Sequence, residues 1–403
     1  MKKWTLGIVA SALAMNTYAI TLGDEASDAE FRVSIRSSHM AEFPMCSGTL
    51  IRENWILTAA HCVVHSGENE AEESGYFVAL PGELSITYGA AHLRDDIQGD
   101  ISNFVNVSHV VVHPYYRRLA RTELVGEQEE LLNTELSNDI ALLRIDRSLS
   151  SVIPVTLADS EVSQKIEEQF SQEWSDSSGG ARPENIVIYG WGSTDIYDPF
   201  GDTVELQQQT TSQAFFPIDE CYQRLESGKS LPSFISSPLD DTKLCTQPTK
   251  LEAFENPEGG GDDGQVVGNS ACLGDSGGGL YADSDGITYQ IGIISGGPIV
   301  LPVCGSVTLP TFHTKVATYL DWINSVADSA DLPSSAVTEP DFIKDARSTE
   351  DGNLPAEEEN LPESCNESET VFLDCDDSSS GSSGPLGVTI LSMLLWYRRR
   401  TWN

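Results

Sequence analysis

The sequence predicts an all-β fold, a sandwich or barrel, on three observations. Short apolar runs recur from Ile20 to about Trp322, among them "GTLI", "WILTAA", "LSITYG", "FVNVSHVVVH", "DIALLRI", "NIVIYGWG" and "YQIGIISGG". They are rich in β-branched residues and bounded by Gly, Pro, Asn and Asp, the punctuation of strands and turns rather than of βαβ units. Only one helical periodicity stands out, "KVATYLDWINSVA" at Lys315–Ala327, with Val316, Tyr319, Leu320 and Ile323 on one face, and it is expected to close the domain.

The ends of the chain read differently. Residues 1–19 carry Lys2 and Lys3, an apolar run from Trp4 to Met15, and small residues Thr17 and Ala19, which predicts a secretory signal peptide cut by signal peptidase. Export permits disulfides, and the eight cysteines are even in number with no zinc-type Cys-x-x-Cys pair. From Asp328 to Asp377 there are sixteen acidic and two basic residues with scattered prolines, so residues 328–380 are expected to form a mostly disordered acidic linker. Residues 381–403 add a Gly/Ser spacer, the twelve-residue stretch Leu386–Tyr397 and the cluster Arg398–Arg400. Twelve helical residues cover ~18 Å, short of the ~30 Å hydrocarbon core. The formal net charge of -39 argues against nucleic acid or an anionic membrane surface as a partner, since both are held by basic faces.

Three segments between these ends carry chemistry. A serine hydroxyl becomes nucleophilic when an imidazole takes its proton, and the imidazole works best when a carboxylate fixes its tautomer. "CSGTLIRENWILTAAHC" offers His61, "NDIALLRI" offers Asp139 ahead of a strand, and "CLGDSGGG" offers Ser276 in a glycine-rich turn. Glycines there let the N–H groups of Gly274 and Ser276 point at a developing oxyanion. Singly, these residues also suit a core histidine, a turn aspartate and a Gly-Ser loop; the conjunction favours catalysis. His109 and His113 lie four apart in strand-like sequence, where that spacing builds no helical metal face, and the acidic loops "GENEAEES" and "GGGDDGQ" lack EF-hand spacing. No metal and no cofactor are therefore expected.

In the order His, Asp, Ser, these segments resemble the chymotrypsin-trypsin family from Ile20 to about Ala327, as do "YGWG" (Tyr189–Gly192), "ISGG" (Ile294–Gly297) and "HTKVATYLDWI" (His313–Ile323). The resemblance implies a domain over residues 20–327 of two six-stranded antiparallel barrels with the triad between them, acting as an endopeptidase on protein or peptide substrates. It also implies the bridges Cys46–Cys62, Cys221–Cys245 and Cys272–Cys304, which leaves Cys365–Cys375 to pair in the tail. "ITLGDEASDAEF" resembles the start at which a freed Ile20 ammonium pairs with Asp275. Because Ile20 follows Ala19 directly, signal peptidase itself is expected to create that ammonium.

By the same resemblance the substrate side chain before the scissile bond enters a pocket with Ser270 and Ala271 at its floor and Ser295, Gly297 and Thr311 along its walls. A serine floor cannot recruit Lys or Arg as an acidic one does, and small to medium apolar side chains are expected. Gly296 replaces the usual tryptophan, and the loops Arg117–Ser137 and Thr249–Gly268 are longer than typical. A silent binding relative and an esterase are the competing classes; the complete triad opposes the first, and the order of residues and the surroundings of Ser276 oppose the second. The tail resembles the GlyGly-CTERM sorting signals of Gram-negative bacteria. That implies cleavage by a rhomboid-type protease, type II secretion, and a secreted or cell-surface location, with a retained anchor as the alternative.

Overall fold

The computed structural model describes residues 20–348, apart from 42, 67–74, 95, 97–100, 127, 178–179, 194–205, 255–264 and 299–303. Two closed six-stranded antiparallel barrels account for most of it. In the first the order is Ala141–Ile145, Trp55–Thr58, Cys46–Arg52, Arg32–Arg36, Ser85–Tyr88, Phe104–Val112, and the last strand pairs back to the first in register Leu142↔Val111. In the second it is Gln209–Phe216, Ile186–Gly190, Gly279–Ser284, Ile287–Gly296, Thr311–Lys315, Lys243–Pro248, closed through Phe215↔Thr246. The alternation read from the sequence puts Val33, Ile56 and Leu142 inside the first barrel, while Tyr281 and Phe312 continue the same buried cluster across the junction.

Three helical features differ from expectation. Helix α1 (Ser160–Asp176) and helix α2 (Ile218–Leu225) were not foreseen. The signal for α1 is legible in hindsight: Asp159 caps it by accepting the Val162 N–H at 2.9 Å, and Ile166 and Phe170 recur four apart on the face buried in the second core. The terminal helix α3 spans Leu320–Ala327 rather than starting at Lys315. The backbone N–H groups of Lys315 and Val316 are drawn to Thr242 and Ile291 carbonyls of the second barrel, and a 3₁₀ turn, Ala317–Tyr319, separates strand from helix. The long loops 117–137 and 249–268 are partly hairpins, Arg121–Val125 with Gln128–Asn133 and Leu251–Phe254 with Gln265–Gly268.

The largest correction concerns the acidic segment. Instead of leaving the domain at Asp328, the chain folds back on the first barrel. Asp328 pairs with Arg52 through two N–H bonds of 2.7 and 2.9 Å. Val337–Thr338 then pairs in parallel with Val110–Val111, and helix α4 (Asp341–Ser348) follows. Phe342, Ile343 and Ala346 are 3%, 1% and 1% exposed, with Phe342 edge-on to Tyr76 and Tyr116 at 5.6 and 6.3 Å. Burying two such large side chains contributes roughly 1.5–3 kcal/mol each, which offsets the conformational entropy of holding a polar strap. The remaining linker, the tail and the expected Cys365–Cys375 bridge lie outside the described residues, as do residues 1–19; the other three bridges form as expected.

Candidate active site

The Cys46–Cys62 bridge ties the strand Cys46–Arg52 to the short turn carrying His61. Next to Cys46, the Ser47 N–H donates to the Ser276 carbonyl at 2.8 Å, and Cys62 Sγ lies 3.5 Å from that same oxygen. The nucleophile turn of the second barrel is thus docked on the histidine turn of the first. Close approach explains the glycine at 277, whose φ is +81°: a Cβ there would meet Thr58 Oγ1 at 2.1 Å and Ser47 O at 2.4 Å. Gly274, at φ +96°, accepts the Ser47 hydroxyl at its carbonyl (3.1 Å). The N–H groups of Gly274 and Ser276 make no hydrogen bond among the described residues, which leaves both for an incoming oxyanion.

Asp139 is fully buried at the junction. Its Oδ2 accepts from His61 Nδ1 at 2.8 Å and from the Ser295 hydroxyl at 2.5 Å, and its Oδ1 accepts the His61 backbone N–H at 2.9 Å. Burial alone pushes this carboxyl up, but the charge of His61 and these hydrogen bonds outweigh it, so Asp139 is held below its ordinary value and stays ionised. Nδ1 carries the proton, leaving Nε2 as the base. Ser295, expected on the pocket wall, turns its side chain to the triad instead, and the Thr314 hydroxyl donates to the Asp139 carbonyl at 2.9 Å. Neither role had a sequence signal beyond position.

Asp275, beside the nucleophile, is fully buried, with Oδ1 accepting from Gly192 N and Oδ2 from Cys272 N, each at 2.8 Å. No cation pairs with it among the described residues, and burial, opposed by those two bonds, pushes its carboxyl up to about 7. The glycines Gly190 and Gly192 give it room, since a Cβ on either would fall within 2.7 Å of its oxygen. Ile20 is also fully buried, at φ +54°, a costly conformation for a β-branched residue. Its neighbour Thr21 exchanges two backbone bonds, 3.0 and 3.2 Å, with Ser270.

That pairing fixes Ser270 and buried Ala271, while Thr311 faces Gly297, where a Cβ would come within 3.1 Å of Thr311 Cγ2. Behind Thr311 its hydroxyl meets that of Thr246 at 2.8 Å, and Thr246 meets His313 Nε2 at 2.9 Å. Burial pushes His313 down to about 3, so this polar chain is uncharged. Gly296 is crowded by its neighbours: a Cβ there would lie 2.9 Å from the end of the Leu136 side chain and 3.0 Å from the Phe312 ring, which would have to shift to admit it. His113 is packed edge-on against Tyr115, Tyr319 and Trp322, with burial depressing it to about 4, as befits a core histidine.

Two closed antiparallel barrels with a His61–Asp139 pair at their junction, and the Ser276 turn docked by its backbone on the histidine turn, define a class of serine hydrolases. The family model described as Trypsin matches residues 20–261 and 244–323, and the chain belongs to that family. It is 26% identical over 280 residues to a CLIP domain-containing serine protease B4 from Anopheles gambiae, covering 69% of this chain and 61% of that protein. It is 26% identical over 285 residues to rabbit vitamin K-dependent protein C, covering 70% and 46%. Human chymotrypsin-like elastase family member 1 is 28% identical over 291 residues, covering 72% and 83%. The chain thus spans about half to three-fifths of the first two relatives and most of the third.

Proposed function

We propose that the chain is a secreted serine endopeptidase. The observation that carries this reading is the buried Asp139, which engages both the ring and the backbone of His61 while the same disulfide-linked unit grips Ser276. In the reaction, Ser276 Oγ bonds to the scissile carbonyl carbon as His61 Nε2 takes its proton. The oxyanion forms opposite the N–H groups of Gly274 and Ser276. Collapse breaks the C–N bond with the proton passing from His61 to the departing amine, and water repeats the sequence on the acyl-enzyme. Covalent labelling of Ser276 by a fluorophosphonate, blocked by prior peptide substrate, tests the nucleophile directly.

The pocket reading follows from Ser270, Thr311 and the neutral His313, which offer no charge to a basic side chain and shorten the space available. A peptide-library profile is expected to favour small to medium apolar residues before the scissile bond. Dominant cleavage after Lys or Arg would overturn that preference while leaving the mechanism standing.

The ends are read with it. Residues 1–19 direct export, the new Ile20 ammonium enters beside Asp275, and residues 381–403 act as a temporary sorting tail removed by a rhomboid-type protease before type II export. Intact-mass measurement of the mature protein reads both ends: a chain starting at Ile20 and lacking roughly its last twenty residues, Arg398–Asn403 included, is expected. A mass retaining those arginines would establish an anchor instead.

A further inference from the structure

In a chain with 62 acidic and 23 basic residues, a cation without an acid is informative. Many of the described basic side chains are spent on carboxylates: Arg32 on Asp28, Arg52 on Asp328, Lys250 on Asp24, Lys315 on Asp241, Lys344 on Asp341. Arg118 is half-buried and has no ion pair or side-chain hydrogen bond among the described residues. Its backbone position is fixed at the cleft: the Arg118 carbonyl accepts the Leu136 N–H at 2.9 Å, and the Arg117 N–H donates to Ser137 at 3.0 Å. Leu136 in turn lies against Gly296. On the other side stands His65, in the strand Val64–Ser66 that follows His61, its ring 5.8 Å from Phe77. The positive charge of Arg118 is felt at both His65 and buried Tyr116. Burial and, after it, the charge of Arg118 hold His65 below its ordinary value against the opposing charge of Glu83.

A substrate strand lying along Gly296–Gly297 alternates its side chains. If one enters the pocket of Ser270 and Thr311, the residue before it points the opposite way, across the cleft toward His61, Leu136 and Arg118. We propose that Arg118 selects an acidic side chain at this position, immediately preceding the residue in the pocket. This deepens the proteolytic reading and rests on it. The overall negative field of the protein repels acidic peptides, so this guanidinium, unpaired among the described residues, acts as a local exception that a Glu or Asp reaches only when the strand is correctly seated.

The test uses peptides with alanine at the pocket position and Glu, Gln or Lys before it, hydrolysed by the mature enzyme and by R118Q and R118E, each normalised by active-site titration. The quantity read is the ratio of kcat/KM between peptides within one enzyme, so partial misfolding cancels. The unmodified enzyme is expected to favour Glu over Gln on the order of tenfold, falling as salt rises. R118Q should bring the ratio close to one, and R118E should favour Lys. Equal Glu/Gln ratios in the unmodified enzyme and R118Q would overturn the assignment. Failure of the unmodified enzyme to cleave any of the three would strike instead at the proteolytic reading beneath it.

Discussion

Ser276→Ala is expected to lower turnover by on the order of 10⁶ with the fold intact, because removing the nucleophile of a triad leaves only binding and oxyanion stabilisation. The substitution deletes one hydroxyl and leaves in place the Ser276 carbonyl that Ser47 holds, so thermal unfolding should hardly change. Asp139→Asn should cost about 10⁴ by presenting the wrong imidazole tautomer, and doubling the two substitutions should add little, since the residues act as a unit. Turnover of a fluorogenic peptide, with fluorophosphonate labelling as the count of competent sites, decides the matter. Residual activity of more than a few per cent in Ser276→Ala, from protein free of other proteases, would falsify the mechanism.

Asp275→Asn is expected to have opposite effects in two forms of the chain. In the mature form proposed above, with the Ile20 ammonium beside Asp275, an Asn at the base of the oxyanion turn would leave that ammonium without its counter-charge. Breaking such a pair costs about 3–5 kcal/mol, enough to depress activity by roughly 10²- to 10⁴-fold. In a precursor with an uncleavable extension ahead of Ile20 there is no ammonium, and the carboxyl titrates at about 7 rather than at its ordinary 3.8 because it is buried. The folded precursor therefore holds this proton more tightly than the unfolded chain does. Its stability is greatest below pH 4 as far as this group is concerned, and is lost as pH rises through about 7, by on the order of 4 kcal/mol. Asp275→Asn should remove that slope and stabilise the precursor at pH 8 while disabling the mature enzyme. Melting curves of both forms between pH 4 and 8 check the sign; a precursor that gains stability over this range contradicts the pairing scheme.

The residues that carry chemistry were legible because their roles demand particular neighbours in sequence: a cysteine beside His61, a strand after Asp139, glycines around Ser276. The barrels were legible through alternation and turn residues. What escaped had weaker local signals. Helix α1 is polar along most of its length, and only Asp159, Val162, Ile166 and Phe170 betray it. The strap escaped because its composition argues for disorder: three buried side chains among many acids hold it, and their partners Tyr76 and Tyr116 lie more than two hundred residues away. Composition measures how much a segment can bury by itself and says little about a preformed surface that can receive it. The hydroxyl of Ser295 escaped for a simpler reason, since no sequence spacing reveals which way a serine on an inner strand turns.

The strap also sets where pulling on the C-terminus would be felt. Any load applied beyond Ser348 is borne first by α4 and by the short parallel ladder of Val337–Thr338 on Val110–Val111, with the bonds Val110 N–H to Ala336 O and Asp341 N–H to Pro114 O, each 2.8 Å, at its two ends. These attach to the strand and turn leading to Tyr116, which is fully buried and feels the charge of Asp139. Tension on the tail is therefore transmitted into the wall of the first barrel that carries the catalytic carboxylate, and α3 with the second barrel is loaded only after that grip gives way.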